Sequence, residues 1–293
     1  MTDARELRVT SRCELMEFLL RPPLSLSRKG AKDLLKFQRV MVRGKSRVRH
    51  DTVVEPGDVV EIAPRRNVDD RSLARAGMRI VHIDDAIVVV DKPAGLLSMG
   101  SERDKEKTAH RILNEHLKAL AKSPRQQAFI VHRLDRETSG LMIFARSEAI
   151  QDALQRNWKD VTKRYLAIVE GSLPHASGTL RDNLVESKAF KVHRVAKGGE
   201  VAITHYRVMS TVGERSLLEL TLETGHKHQI RVQLKGIGHP IVGDRKYGAT
   251  SDPAHRLALH SHALKFRHPV SHAPMEFHSE LPDRLNALIR RHR

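Results

Sequence analysis

Apolar positions fall into two kinds of run. Ile87-Val88-Val89-Val90 and Leu141-Met142-Ile143-Phe144-Ala145 are continuous and of strand length, and the second reads as a buried strand. Ile80-Val81-His82-Ile83 precedes the first of these across an Asp84-Asp85 turn. Residues 164–169, 203–209 and 217–222 read as further strands, the last two joined near Gly213. Elsewhere the spacing is helical. Residues 108–122 place Ile112, Leu113, Leu117 and Leu120 on one side. Ser147 caps a helix with Ile150, Leu154 and Trp158 at i, i+4 and i+8. Residues 226–235 form a helix that turns Ile230, Leu234 and Ile237 inward.

The first 64 residues have a smaller rhythm. A helix over 13–20 stops before Pro22-Pro23, and a second over 28–37, capped by Ser27, faces Leu34 and Leu35 inward. A strand and tight turn follow at 40–45, and Pro56-Gly57-Asp58 turns into a strand at 59–62. Residues 65–77 are polar and without period, which predicts a linker. The expected organisation is a small α+β module (1–64), a linker (65–77) and one α+β domain (78–293) with a mixed, largely antiparallel sheet.

Charge adds a partner to this picture. The 293 residues carry 52 Lys and Arg against 35 Asp and Glu, a net charge of +17, which points to a polyanion, most simply nucleic acid. Residues 28–49 hold nine basic side chains against one acid, and Arg28, Lys29, Lys32, Lys36, Arg39 and Arg43 are the candidate phosphate contacts. A single cysteine, Cys13, excludes a disulfide framework, a cysteine-rich zinc site and a zinc deaminase with its paired cysteines. No apolar run is long enough to span a bilayer and the first residues lack the apolar stretch of a secretory signal. A soluble, cytoplasmic, monomeric protein with no membrane partner is expected.

Candidate chemistry concentrates in one place. There is no phosphate-binding glycine loop, no dinucleotide fingerprint and no zinc-protease helix motif. Residues 131–141, Val-His-Arg-Leu-Asp-Arg-Glu-Thr-Ser-Gly-Leu, set a polar loop between apolar strands, where sites tend to lie. Asp135, flanked by Arg133 and Arg136, is expected to stay ionised in a dry pocket; a structural ion pair in a turn fits the same residues. The late histidines (His255, His260, His262, His268, His272 and His278) lack acidic or thiol partners at ligand spacing, so RNA-facing or surface roles are expected and no metal is.

The string His132-Arg133-Leu134-Asp135-x-x-Thr138-Ser139-Gly140 resembles the RluA-like pseudouridine synthases. The resemblance runs from Ile80 to His278 through Asp91-Lys92-Pro93-Ala94-Gly95-Leu96, Lys163-Arg164-Tyr165-Leu166-Ala167, His228-Gln229-Ile230-Arg231-Val232, Gly238-His239-Pro240-Ile241-Val242-Gly243-Asp244 with Tyr247-Gly248, Leu257-x-Leu259-His260 and Phe266-x-His268-Pro269. It implies that Asp135 is the catalytic aspartate, that Arg133 helps fill the space left by a flipped uridine, and that Tyr165 stacks on the target base and is a candidate to handle its proton. It further implies that Arg231 pairs with the aspartate and that Leu259 lines an apolar pocket. Taken singly, Tyr165 would read as a strand residue and Arg231 as a surface helix charge. One position departs from the family: His226 follows Thr224-Gly225 where an arginine is usual.

The implied reaction breaks the bond from ribose to a base nitrogen and remakes it to a ring carbon. It changes no redox state, so no cofactor is expected, and the base must first leave its stack. Residues 1–64 resemble the S-four-type RNA-binding domain through 26–35, 40–45 and 53–62. Ribosomal RNA, chiefly of the large subunit, is the favoured substrate and transfer RNA the alternative. A non-catalytic RNA-binding or ribosome-assembly factor on the same fold is the competing class.

Overall fold

In a computed structural model of the chain, the structure describes residues 5–22, 24, 26, 28–36, 40–44, 48–62, 70–100, 108–121, 127–187 and 191–290. The chain divides into two compact units, residues 1–70 and 71–293. The first contains β1 (Arg5–Arg8), β2 (Cys13–Glu14), α1 (Leu15–Leu20), α2 (Arg28–Lys36), β3 (Val40–Val42), β4 (Val53–Val54) and β5 (Val59–Ile62). Its sheet has the order β1-β5-β3, antiparallel throughout, with β2 and β4 as a separate antiparallel pair. Leu15 and Leu19 of α1 and Ala31 and Leu34 of α2 pack on Val40, Val42, Val54 and Val60. The first helix thus starts two residues later than predicted, because Cys13-Glu14 is taken into the pairing with Val53-Val54. Ser27, Phe37, Arg39 and Lys45 lie outside the described residues, as do the side chains of Lys29 and Lys36.

The second unit runs α3 (Asp70–Arg75), β6 (Arg79–Ile83), β7 (Ile87–Lys92), α4 (Ala109–Ala121), β8 (Phe129–Ile130), β9 (Ser139–Ala145), α5 (Glu148–Arg156), β10 (Thr162–Glu170), β11 (Ser177–Glu186), β12 (Val192–Val195), β13 (Glu200–Val212), β14 (Arg215–Leu222), α6 (Gln229–Gly236), β15 (Leu259–Arg267), β16 (Pro274–His278) and α7 (Asp283–Asn286). Its first helix lies inside the stretch predicted to be linker: Leu73 and Met78 are buried in the main core, so residues 71–77 belong to this unit. A single leucine in so polar a stretch gave too little periodicity to reveal the helix. Residues 63–69 lie outside the described ones. No helix among the described residues is long and apolar enough to cross a membrane.

The continuous apolar strands are explained by their position. Along β7 and β9, Val88, Val90, Met142 and Phe144 point into one core with Ile112, Leu113 and Leu117 of α4. Ile87, Val89, Leu141, Ile143 and Ala145 point into the other with Leu154 of α5 and with Val161, Leu264 and Phe266. Period-two alternation therefore buries both faces, at about 1.5–3 kcal/mol for each large side chain. Ser147 caps α5 through its Oγ, which accepts from the Ile150 amide at 3.3 Å. Trp158 lies beyond that helix, in a 3-10 turn. Ile237 also lies beyond its helix, which ends at Gly236, and it is 38% exposed instead of inward.

The eleven-stranded sheet has the path β12-β11-β13-β14-β10-β15-β9-β7-β6, with β16 beside β15 and β8 beside β9. Every pairing is antiparallel except the short β9–β15 seam, His260 opposite Ser139 and Ser261 opposite Gly140. Gly140 makes the seam possible. Its φ is +113°, and a Cβ there would sit 2.2 Å from the Ser261 carbonyl oxygen. His260 crosses the seam, its ring nitrogens bonded to the hydroxyls of Ser139 (2.9 Å) and Ser279 (3.1 Å). It is buried, not the surface group expected from sequence.

Gly140→Ala should lower stability by about 1–3 kcal/mol, read as an earlier denaturation midpoint; an unchanged midpoint would mean the seam opens at no cost. Burial also holds His132 and His260 down to about 3 and about 4, against an ordinary 6.5. The unfolded chain binds protons at these rings and the folded chain does not, so stability is full above pH 6.5 and falls as pH drops toward 4. Urea midpoints should be lower at pH 5 than at pH 7, and equal midpoints would contradict this.

Candidate active site

The polar loop between β8 and β9 is held by its surroundings. Lys92, fully buried at the end of β7, donates to the carbonyls of Pro93 (2.9 Å), Leu96 (2.8 Å) and Arg136 (3.2 Å). Burial pulls its ammonium down to about 7, while the charges of Glu137 and Asp135 oppose the shift. The Gly95 amide donates to the same Arg136 carbonyl at 2.8 Å. The Ser98 hydroxyl donates to the Leu134 carbonyl at 2.6 Å and accepts from the Leu134 amide at 3.0 Å. The His132 Nε2 accepts from the Ile143 amide at 3.1 Å, so the loop is tied on both sides of Asp135.

Asp135 faces α6. Arg231 Nη1 approaches its Oδ2 at 3.4 Å and His228 Nε2 at 3.7 Å, leaving Oδ1 without a protein partner among the described residues. The cation against Asp135 is therefore Arg231; the sequence neighbours Arg133 and Arg136 are both exposed. Arg231 itself is bound more tightly elsewhere. Its Nε and Nη2 donate to the two carboxylate oxygens of Asp244 at 2.7 and 2.8 Å, and both side chains are buried. Its guanidinium also lies over the Tyr247 ring, 5.0 Å from the centroid. Burial opposes the charge, but the Asp244 hydrogen bonds and charge, with Asp135 behind them, outweigh it and raise the guanidinium pKa. α6 is buried from Gln229 to Leu234, which is why an arginine on it is not a surface charge.

A cavity of about 300 Å³ opens beside Asp135, lined among others by Arg133, Tyr165, Leu222, Ile230, Arg231 and Leu259. All five residues singled out in the large domain thus border one space. Tyr165 reaches it from β10 and Leu259 from the start of β15. Burial pushes the Tyr165 phenol up to about 12, with the Asp135 charge acting the same way, so the ring is neutral across the physiological range. Such a hydroxyl can stack and donate but is a poor base. A second cavity of about 680 Å³ adjoins the first across Asp135, His228 and Arg231, and its wall includes Arg133, Arg136, Lys227, Arg245, Lys246 and Arg256.

The departure at His226 has a local explanation: its ring bonds the Val201 carbonyl at 2.9 Å and its amide donates to Gln229 Oε1 at 3.0 Å. Among the described residues no group of three or more His, Cys, Asp or Glu is arranged to hold a metal. In the small unit, Arg28 and Lys32 are exposed on α2. Arg43 differs from them, because its Nε and Nη2 both donate to Asp58 at 2.7 Å. Sequence reasoning assigned no role to Asp244, Tyr247 or His228, although all three stand in quoted blocks. The usable signal was the arginine itself: a buried guanidinium needs a buried carboxylate.

The family model described as RNA pseudouridylate synthase matches residues 86–235. The chain is 35% identical over 276 residues to the ribosomal large subunit pseudouridine synthase D of Vibrio cholerae, covering 88% of this chain and 84% of that one. It is 33% identical over 260 residues to a Bacillus subtilis protein named as an uncharacterized RNA pseudouridine synthase, covering 86% and 85%. Among solved structures, the human RNA pseudouridylate synthase domain containing 4 superposes with a TM-score of 0.61 at 27% identity, over 75% of this chain and 96% of that one. The chain belongs to the RNA pseudouridylate synthase family.

Proposed function

We propose that this chain isomerises uridine to pseudouridine in large-subunit ribosomal RNA, with Asp135 as the reactive carboxylate. The observation that carries the reading is that Asp135, Tyr165 and Arg231, from a loop, a strand and a helix, border one cavity. The substrate class rests on relatives such as the Vibrio cholerae protein, named for the ribosomal large subunit.

The residue types suit the chemistry. The N1–C1′ bond of uridine breaks, the uracil turns, and a C5–C1′ bond forms; the proton lost from C5 balances the one gained at N1. Asp135 supplies a carboxylate whose Oδ1 has no protein partner among the described residues, with the Arg231 guanidinium 3.4 Å from its Oδ2. Tyr165 offers a neutral aromatic face to the loosened base and Leu259 an apolar wall. Flipping the nucleotide costs a few kcal/mol, which exposed Arg133 offsets by occupying the vacated place in the stack. Residues 1–64 act as an RNA-binding module, with Arg28 and Lys32 on phosphates. The non-catalytic alternative gives no reason for a carboxylate, a buried cation and a phenol to share a cavity.

Asp135→Asn should leave the dissociation constant for a large-subunit ribosomal RNA transcript within about twofold, yet slow single-turnover pseudouridine formation on the order of 10³-fold or more. Conversion at the wild-type rate would remove Asp135 from the chemistry. Arg28→Glu with Lys32→Glu should weaken RNA binding and flatten the slope of log affinity against log salt by roughly 1.5–2. An unchanged slope would take α2 off the RNA.

A further inference from the structure

His228 is the second group against the carboxylate, and its setting is unusual. It precedes α6 with φ +54° and ψ +16°, a left-handed conformation uncommon for a residue other than glycine. Such outliers persist where their surroundings hold them, and they cluster at functional sites. What holds His228 is Tyr247, whose hydroxyl lies 2.7 Å from Nδ1. The Val192 amide donates to the same phenolic oxygen at 3.2 Å. The phenolic oxygen accepts from Val192, which leaves its own hydrogen available to the histidine; with that hydrogen donated to Nδ1, the ring proton sits on Nε2. Nε2 is the atom that faces Asp135 Oδ2, 3.7 Å away.

We propose that His228 is a positioning residue for Asp135, a neutral imidazole whose tautomer is set by Tyr247 so that its Nε2–H points at the carboxylate. The proposal rests on the reading of Asp135 given above. Tyr247 is well placed for this task. It is buried, and its amide donates to Asp244 Oδ1 at 3.3 Å. The 3-10 turn Arg245–Tyr247 and its capping residue Asp244 therefore serve both partners of Asp135: the Asp244 carboxylate fixes Arg231 and the Tyr247 hydroxyl fixes His228.

Neutrality matters as much as direction. Burial holds His228 down to about 4; Asp135 pulls the other way, while Arg231, Lys246 and Lys227 add to the depression. A second cation at Oδ2 would tie the carboxylate into a closed ion-pair cluster and lower its reactivity. A neutral N–H orients it and leaves its charge in place. Closing from 3.7 Å to hydrogen-bond distance takes a shift of less than 1 Å, of the kind that accompanies substrate binding.

The test has two independent readings. In the wild-type protein without RNA, nitrogen-15 NMR of labelled histidine should show His228 at pH 7 as the Nε2–H tautomer, and Tyr247→Phe should abolish that preference while the fold is retained. In single-turnover assays on a ribosomal RNA transcript, Tyr247→Phe and His228→Asn (asparagine tolerates the left-handed backbone) should each slow conversion by up to the order of 10²-fold with RNA affinity unchanged, and the double variant should be no slower than His228→Asn. A charged or Nδ1–H ring in the wild type overturns the proposal, as does a wild-type rate in both variants or a loss confined to RNA affinity. The NMR result does not depend on activity, so failure here is separable from failure of the Asp135 assignment.

Discussion

A guanidinium taken out of water is the constraint on which the site depends. Arg231 is buried on a buried helix, and that is tolerable only because Asp244 meets it with two short hydrogen bonds. Removing one partner of such a pair costs about 3–5 kcal/mol, so the two side chains fix one another. This commitment decides how Asp135 is treated. Arg231 Nε and Nη2 donate to Asp244 at 2.7 and 2.8 Å, and its third nitrogen, Nη1, approaches Asp135 at 3.4 Å. Asp135 is thus steadied by a cation already neutralised by another carboxylate. Its contact with Arg231 is a single longer approach, not the two-pronged pairing that Asp244 receives.

The fold delivers the other half of the site through the sheet. β7 and β9, apolar on both faces, form a rigid floor, and the loop bearing Asp135 enters β9 next to the parallel seam. Lys92 and Ser98 pin that loop from the end of β7 and just beyond it. β10, central in the sheet, lies beside β15, so Tyr165 and Leu259 reach the same cavity. The floor is made by local alternation. The convergence is made by strand order, which joins groups distant in the chain.

That difference explains what the sequence revealed. β7 and β9 were legible because their apolar runs are unambiguous, and Asp135 stood out as a polar loop residue between them. α3 was not legible: it buries Leu73 in an otherwise polar stretch, and tertiary contact, not periodicity, makes it a helix. Ile237 was misplaced because helical spacing was carried one residue past Gly236. His260 was misread as a surface group because its partners, Ser139 and Ser279, come from distant strands and loops. The roles of Asp244 and His228 escaped for the same reason, since one answers to Arg231 and the other to Tyr247, and both pairings exist only in the folded chain.

Asp244→Asn tests the central dependence most directly, because it alters a residue that does not contact Asp135. With native circular dichroism and unchanged affinity for a large-subunit ribosomal RNA transcript, single-turnover pseudouridine formation should fall on the order of 10²-fold as Arg231 loses its anchor. Conversion at the wild-type rate would show that Asp135 does not depend on the buried pair.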